Sequence, residues 1–220
     1  MTTRDKILIT GASSGLGEGM ARRYAAQVAV SELDVTDTDS VPVVFGKLRD
    51  ELGGLDRVIV NAGLGKGAPM GTGKAHANLE TVQTNLIGGI AQVEAALEIF
   101  REQNHGHLVL ISSIAGVRGQ PKSQTAYSAS KAGLTAVGEG LQTEFAGTPI
   151  RVSVIAPGYI ETAINRGVKT SLKADLDGGV DALVKAIDNE KQWAPVPAWP
   201  WLPIASALRH LPQSITRHLG

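Results

Sequence analysis

Tyr127 and Lys131 stand four residues apart in Tyr127-Ser128-Ala129-Ser130-Lys131, inside a run from about Thr125 to Phe145 whose pattern predicts a helix. Four residues is about one turn, so both side chains leave the same face of that helix. A free phenol titrates near ~10 and exchanges protons poorly at neutral pH. An ammonium within a few ångströms favours the phenolate and lowers that value. Lowering it by ~2–3 units takes roughly 3–4 kcal/mol of differential stabilisation. The pair is therefore a candidate acid–base device. Alone it is weak, because the same spacing is common on the surfaces of ordinary helices.

The elements that would position such a pair can be read along the chain. Ile7-Leu8-Ile9 is a short apolar run of the kind buried on both faces of a parallel sheet. It ends in Thr10-Gly11-Ala12-Ser13-Ser14-Gly15-Leu16-Gly17, and a helical pattern runs from Leu16 to about Ala26. Strand, glycine-rich turn and helix together make a phosphate cradle. Glycines let the backbone approach, and the helix N-terminus offers unpaired N–H groups and the positive end of its dipole. The spacing is Gly-x-x-x-Gly-x-Gly, not the commoner Gly-x-Gly-x-x-Gly.

The ordered set of motifs resembles the short-chain dehydrogenase/reductase superfamily. It comprises Thr10-Gly11-x-x-x-Gly15-x-Gly17, Asp34-Val35-Thr36-Asp37, Asn61-Ala62-Gly63 after the run Arg57–Val60, and Asn85 within a helical pattern from Leu79 to Gln103. Ser112-Ser113 after Leu108–Ile111, Tyr127-x-x-x-Lys131, and Pro157-Gly158-Tyr159-Ile160-Glu161-Thr162 after Val152–Ile155 complete it. The resemblance covers about Lys6 to Ile187. It implies a doubly wound Rossmann-type α/β domain with a mainly parallel sheet flanked by helices. It also implies an NAD(P)(H)-dependent oxidoreductase that interconverts a small-molecule carbonyl and a secondary alcohol.

The resemblance also assigns roles. Tyr127 would be the acid in carbonyl reduction and the base in alcohol oxidation. Lys131 would lower its pKa, with help from a positive nicotinamide ring, and hold the nicotinamide ribose. Ser113 would hydrogen-bond the substrate oxygen. Asn85 would bend its helix and position a water in a relay towards Lys131. The implied cofactor contacts are Gly11, Ser13, Ser14, Gly15 and Leu16 in the glycine turn, with Asp34 and Val35 near the adenine. Asn61, Ala62 and Gly63 follow, with Tyr127 and Lys131 again, and Pro157, Gly158, Ile160 and Thr162 at the nicotinamide. Residues from about 161 to 177 would form a substrate lid within a catalytic domain spanning 1–190.

One departure concerns the cofactor. Between the glycine turn and Asn61 the family has two strands, each followed by a helix. Here one strand pattern is visible, Val28–Leu33, followed by a helical pattern from Ser40 to Leu52. By spacing alone, Glu32 or Asp34 could be the acid that reads the adenosine ribose. By resemblance, Asp34-Val35-Thr36-Asp37 belongs after the third strand. A strand and helix would then be missing, with a break expected at Gln27–Val28, and the choice between NAD and NADP stays open.

Composition narrows the alternatives. The 220 residues, 43% hydrophobic and 19% charged, suit one sizeable soluble domain. A net charge of zero without a basic run argues against nucleic acid as a partner. The chain has no cysteine, which excludes disulfides and thiolate chemistry. His105 and His107 lack an evident third ligand, so no metal site is expected. With neither a secretory leader pattern nor a run near the ~20 apolar residues of a membrane span, a cytoplasmic protein is expected. Residues 191–220 read as an amphipathic tail holding all three tryptophans, Trp193, Trp199 and Trp201, among prolines. Such a tail packs on its own subunit or a neighbour, or touches a membrane surface weakly. Small residues in the helical patterns Leu79–Gln103 and Gln124–Phe145 permit close packing. The resemblance implies that these two helices pair with their copies in a homodimer or homotetramer. A non-catalytic dinucleotide-binding protein on the same fold is the competing class.

Overall fold

The computed structural model describes residues 5–24, 31–163 and 170–216. Among them, five runs form one parallel sheet in chain order: β1 (Ile7–Ile9), β2 (Arg57–Val60), β3 (Gly106–Ile111), β4 (Ile150–Pro157) and β5 (Trp193–Val196). The main helices are α1 (Gly15–Tyr24), α2 (Ser40–Leu52), α3 (Ala75–Val82), α4 (Gly88–Gln103), α5 (Thr125–Glu144), α6 (Leu176–Asp188) and α7 (Ala198–His210). Successive strand residues point to opposite faces. Val58, Val60, Leu108, Leu110, Val152 and Val154 therefore enter one core, closed by Phe45 of α2, Phe100 of α4 and Leu134 of α5. Ile59, Val109, Ile111 and Ile155 enter the other, closed by Met20 of α1 and by Val180, Leu183 and Ile187 of α6. Helices cover both faces, which is why the central strands β2 and β3 are buried at every residue.

Several elements differ from the sequence reading. Ser31–Leu33 carry no strand. Residues 25–30, with the break expected at Gln27–Val28, lie outside the described residues, and so do 164–169 of the expected lid. Among the described strands β1 pairs only with β2. The chain beyond Leu33 turns because the Asp34 carboxylate accepts from Thr36 N at 2.9 Å and Thr36 Oγ1 at 2.8 Å. Such a side-chain turn competes with an extended ladder. The helix expected from Leu79 begins at Ala75 and passes through one π-helical turn, Gln83–Ile87, before α4. Helix α6 starts at Leu176, inside the span expected to form the lid. Asp175 caps it by accepting from Gly178 N at 2.8 Å.

The segment set apart as a tail enters the fold. Trp193–Val196 pairs with Val154–Pro157 as β5. Prolines argue against a strand in the interior of a sheet, but β5 is an edge, where a missing N–H costs no ladder bond. Helix α7 then folds back, and Trp201 and Ala205 join Ile114 and Ala156 in a third apolar cluster. No helix among the described residues is long and apolar enough to cross a membrane.

At the N-terminal ends of the strands lies a buried polar network. Arg57 Nε donates to His107 Nδ1 at 3.1 Å, and His107 Nε2 meets Ser153 Oγ at 2.8 Å. Arg57 Nη1 also donates to Asp188 at 2.8 Å, and Tyr24 donates to the same carboxylate at 3.1 Å. Burial is the main influence that holds the Tyr24 phenol above its usual range. His107 is thus a sheet residue, with both ring nitrogens engaged.

Candidate active site

The C-terminal ends of parallel strands are where a doubly wound sheet opens a crevice. Four loops meet there. After β1, the glycine turn folds tightly, with Gly11 at φ +61° and Gly15 at φ +57°. A Cβ on Gly17 would stand 2.2 Å from the Gly11 carbonyl oxygen, so only glycine permits this turn. After β2, Asn61 Nδ2 donates to Thr10 O at 2.9 Å and Gly11 O at 3.3 Å, while Thr10 Oγ1 accepts from Asn61 N and Ala62 N. Asn61 and Ala62 therefore lock the glycine turn to the neighbouring strand. From β4, Thr162 reaches across: a Cβ on Gly15 would lie 3.6 Å from the Thr162 methyl group. Ser13 and Ser14 are exposed at the mouth of this cradle, and Leu16 packs against the second core. An open helix N-terminus, glycines at the closest approach and flanking hydroxyls fit the pyrophosphate of a dinucleotide.

The acid–base residues meet beside it. Tyr127 and Lys131 occupy the first two turns of α5. Lys131 is buried and donates through Nζ to Ile111 O at 2.8 Å, at the end of β3. A Cβ on Gly63 would lie 3.5 Å from that ammonium and 3.1 Å from Asn85 Oδ1. Burial pulls the Lys131 ammonium down to about 8. Burial also raises the Tyr127 phenol, and Tyr159 adds to the rise, while a hydrogen bond with Ser113 opposes it. The expected lowering of the Tyr127 pKa drew on a positive nicotinamide ring as well as Lys131; in the protein alone, desolvation outweighs the Ser113 contribution.

The two serines differ in their surroundings. Ser112 is buried and bonds Lys131 O at 2.9 Å and Thr135 Oγ1 at 2.7 Å, which fastens β3 to α5. Ser113 is half-buried, contacts Pro157 O at 3.4 Å, accepts from Ala115 N at 3.1 Å and lies close enough to Tyr127 to pull its phenol down. Asn85, only 1% exposed, lies in the π-helical turn. Its Oδ1 accepts from Leu64 N at 2.7 Å, and its Nδ2 donates to Leu64 O at 2.9 Å and Ser130 Oγ at 3.1 Å. Widened turns of this kind gather at functional sites. Here the extra residue aims Asn85 at the loop after β2.

Other residues stand apart from this cluster. Val35, in the turn before α2, is buried against the start of α4, its carbonyl 2.6 Å from where a Gly88 Cβ would be. Asp34 sits beside it in its own turn, and its hydrogen bonds to Thr36 hold its carboxyl below the usual range. Ile160 is 2% exposed with its side chain in the second core, so only its backbone is available to a ligand. Two contributors carried no assignment from sequence. Ser130 donates to Tyr127 O at 2.7 Å while accepting from Asn85, joining the π turn to α5. Tyr159 stands two residues past the Pro157 carbonyl that Ser113 contacts, near enough to Tyr127 to raise its phenol. Ser130 lay within the Tyr-x-x-x-Lys span, and Tyr159 directly follows Pro157-Gly158. Adjacency to a motif was the available signal.

A Rossmann-type crevice holding a phosphate cradle beside a Ser–Tyr–Lys cluster defines an NAD(P)-dependent oxidoreductase. A family model of short chain dehydrogenases matches residues 25–173, and the chain belongs to that family. An uncharacterized oxidoreductase of Mycobacterium tuberculosis (strain H37Rv) is 49% identical over 248 residues, covering 99% of this chain and 98% of the relative. Those aligned positions outnumber the 220 residues here, so the relative carries residues with no counterpart in this chain. The 3-oxoacyl-(acyl-carrier-protein) reductase of Escherichia coli (strain K12) is 31% identical over 80% of this chain and 81% of its own. Among solved structures, a short chain dehydrogenase from Burkholderia cenocepacia J2315 in complex with NADP superposes with a TM-score of 0.86. It is 24% identical and covers 98% of this chain and 97% of the other.

Proposed function

We propose that the chain reduces a carbonyl to a secondary alcohol, or runs the reverse, with Tyr127 as the acid–base group. The observation that carries this reading is the placement of the Ser113 hydroxyl, at the end of β3, close enough to the Tyr127 phenol to lower its pKa, with the buried Lys131 one turn further along α5. Bound nicotinamide supplies or accepts the hydride. Two aimed hydroxyls then steady the negative charge that hydride arrival builds on the carbonyl oxygen, and Tyr127 donates the proton. Ser113 orients the oxygen. Lys131, charged below about 8, holds the ribose and favours the phenolate that Tyr127 leaves behind. Asn85 holds the Gly63–Leu64 turn beside Lys131, next to the proposed relay water. Gly11 to Leu16, Asn61 to Gly63, Asp34, Val35 and the Pro157–Thr162 loop hold the dinucleotide. A pure binding protein has no need of the proton donor.

The test is a panel of ketones, diketones and 3-oxoacyl thioesters offered with NADH and NADPH separately, followed by loss of reduced-nicotinamide absorbance. The thioesters are included because of the Escherichia coli relative's name. Turnover of a carbonyl with one cofactor is expected. Cofactor binding without turnover of any probe would favour the competing class. The expected compartment is the cytoplasm.

We infer further that α5 pairs with a second copy of this chain. Gly88, Gly89, Gly133 and Gly138 are used within the subunit, against Val35, Leu134, Leu86 and Val154. Ala129, Ala132, Ala136 and Gly140 remain exposed along α5, at spacings that keep them on one face. That face, with its neighbour α4, would form the family's four-helix contact about a two-fold axis. Light scattering at micromolar concentration should give the mass of a dimer or tetramer; a monomeric mass would overturn the assignment.

A further inference from the structure

We propose that α7 is a working part of the site: Trp201 fixes the Pro157–Gly158–Tyr159 turn so that the Tyr159 ring walls the crevice beside Tyr127 and favours carbonyl compounds with a flat, unsaturated group next to the carbonyl. This rests on the carbonyl-reductase reading above and adds to it a substrate class and a positioning residue.

The contacts run in one direction, from the C-terminal helix to the reacting hydroxyls. Trp201 is 4% exposed and shares a cluster with Ile114, the residue after Ser113, and Ala156, the residue before Pro157. It therefore backs both chain segments that meet at the Ser113–Pro157 contact. A Cβ on Gly158 would stand 2.1 Å from the indole, so the ring lies directly on that backbone. Tyr159 meets the indole edge-on, with centroids 5.6 Å apart and planes at 65°. Its neighbour Ile160 points into the core, while Tyr159 keeps 41% of its surface exposed. A large aromatic left open two residues from the Ser113–Pro157 contact, with its orientation set by a second aromatic, presents a π-face or edge to a bound substrate. Helix α7 is itself anchored to the loop after Ser113, because Arg118 donates to Leu208 O at 2.9 Å and Leu211 O at 2.7 Å. The indole N–H is buried without a partner. Trp201 is thus placed by its shape and not by a hydrogen bond, and phenylalanine can stand in for it.

The probes are 1-phenyl-1,2-propanedione and 2,3-butanedione, which differ by phenyl against methyl beside the same dicarbonyl. Wild type should favour the phenyl probe by about tenfold, through KM and not kcat, as one well-placed aromatic contact allows. Tyr159→Ala should bring the two KM values together, with the change falling on the phenyl probe. Trp201→Ala should do the same with Tyr159 intact, and Trp201→Phe should restore most of the preference. General damage to the fold would lower both probes alike and would not be rescued selectively. Should neither diketone be reduced, the activity fails for these probes, and saturation-transfer NMR of both on wild type and Tyr159→Ala still reads the preference. No phenyl preference in wild type, or an undiminished one in Tyr159→Ala, overturns the proposal.

Discussion

Tyr127→Phe should remove nearly all turnover while leaving cofactor affinity close to that of the wild type. A positioned proton donor contributes about 10²- to 10⁴-fold, and the substitution removes only that hydroxyl from a half-buried ring. Lys131, bonded to Ile111 O, and Asn85, bonded to Leu64, do not depend on it. The loss should therefore fall on kcat and kcat/KM together, the signature of an interaction made in the transition state. The pH profile gives a second reading. Burial raises the Tyr127 phenol, so the acid stays protonated through neutral pH. Lys131 titrates at about 8, so its positive charge is present below that value and lost as the pH climbs through it. Carbonyl reduction by the wild type should decline on that alkaline limb. The measurements are steady-state rates against pH, and cofactor Kd by fluorescence, for both proteins. If Tyr127→Phe kept more than about a tenth of the rate, another group would be the acid.

What could be read from sequence followed from how local each cause is. The glycine turn was legible because Gly11, Gly15 and Gly17 answer to sterics within a few residues and to one neighbouring strand. The central strands were legible because burial on both faces leaves unbroken apolar runs. Strand β5 was not. Pro195 speaks against a ladder unless the strand is known to be an edge, and that is a property of the sheet. The π-helical turn was anticipated only through the resemblance, which implied a helix bent at Asn85. Nothing in Gln83–Ile87 announces a wider turn; the pull comes from Leu64, 21 residues upstream. The burial of Lys131 was hidden for a related reason. Spacing placed it near Tyr127, but burial, set by tertiary packing, governs both groups. Tyr159 owes its place to Trp201, some forty residues on, in a segment that read as a tail.

The buried network beneath the sheet should make the fold sensitive to mild acid. Arg57 is always protonated and donates to His107 Nδ1, so the neutral imidazole must carry its proton on Nε2 and donate it to Ser153. A second proton would have to enter at Nδ1, facing a guanidinium. Burial, then the charges of Arg57 and Arg151, push the imidazole down from 6.5 to about 3. The unfolded chain therefore binds a proton that the folded chain refuses throughout the window between those values. Stability falls as pH drops through that window, at up to about 1.4 kcal/mol per pH unit. Aspartates and glutamates begin to protonate below about 4.5, so the clean range for measurement is pH 6.5 to 5. There the loss from this residue should be on the order of 1.5 kcal/mol. His107→Gln keeps an acceptor for Arg57 and a donor for Ser153 but cannot titrate. It should be less stable than wild type at pH 7.5, where the native pairing is intact, and should lose less on acidification. Urea denaturation of both proteins at pH 7.5, 6.5, 5.8 and 5 reads the two slopes. Parallel slopes would mean that His107 takes up its proton in the folded state, and the tautomer argued from Arg57 would be wrong.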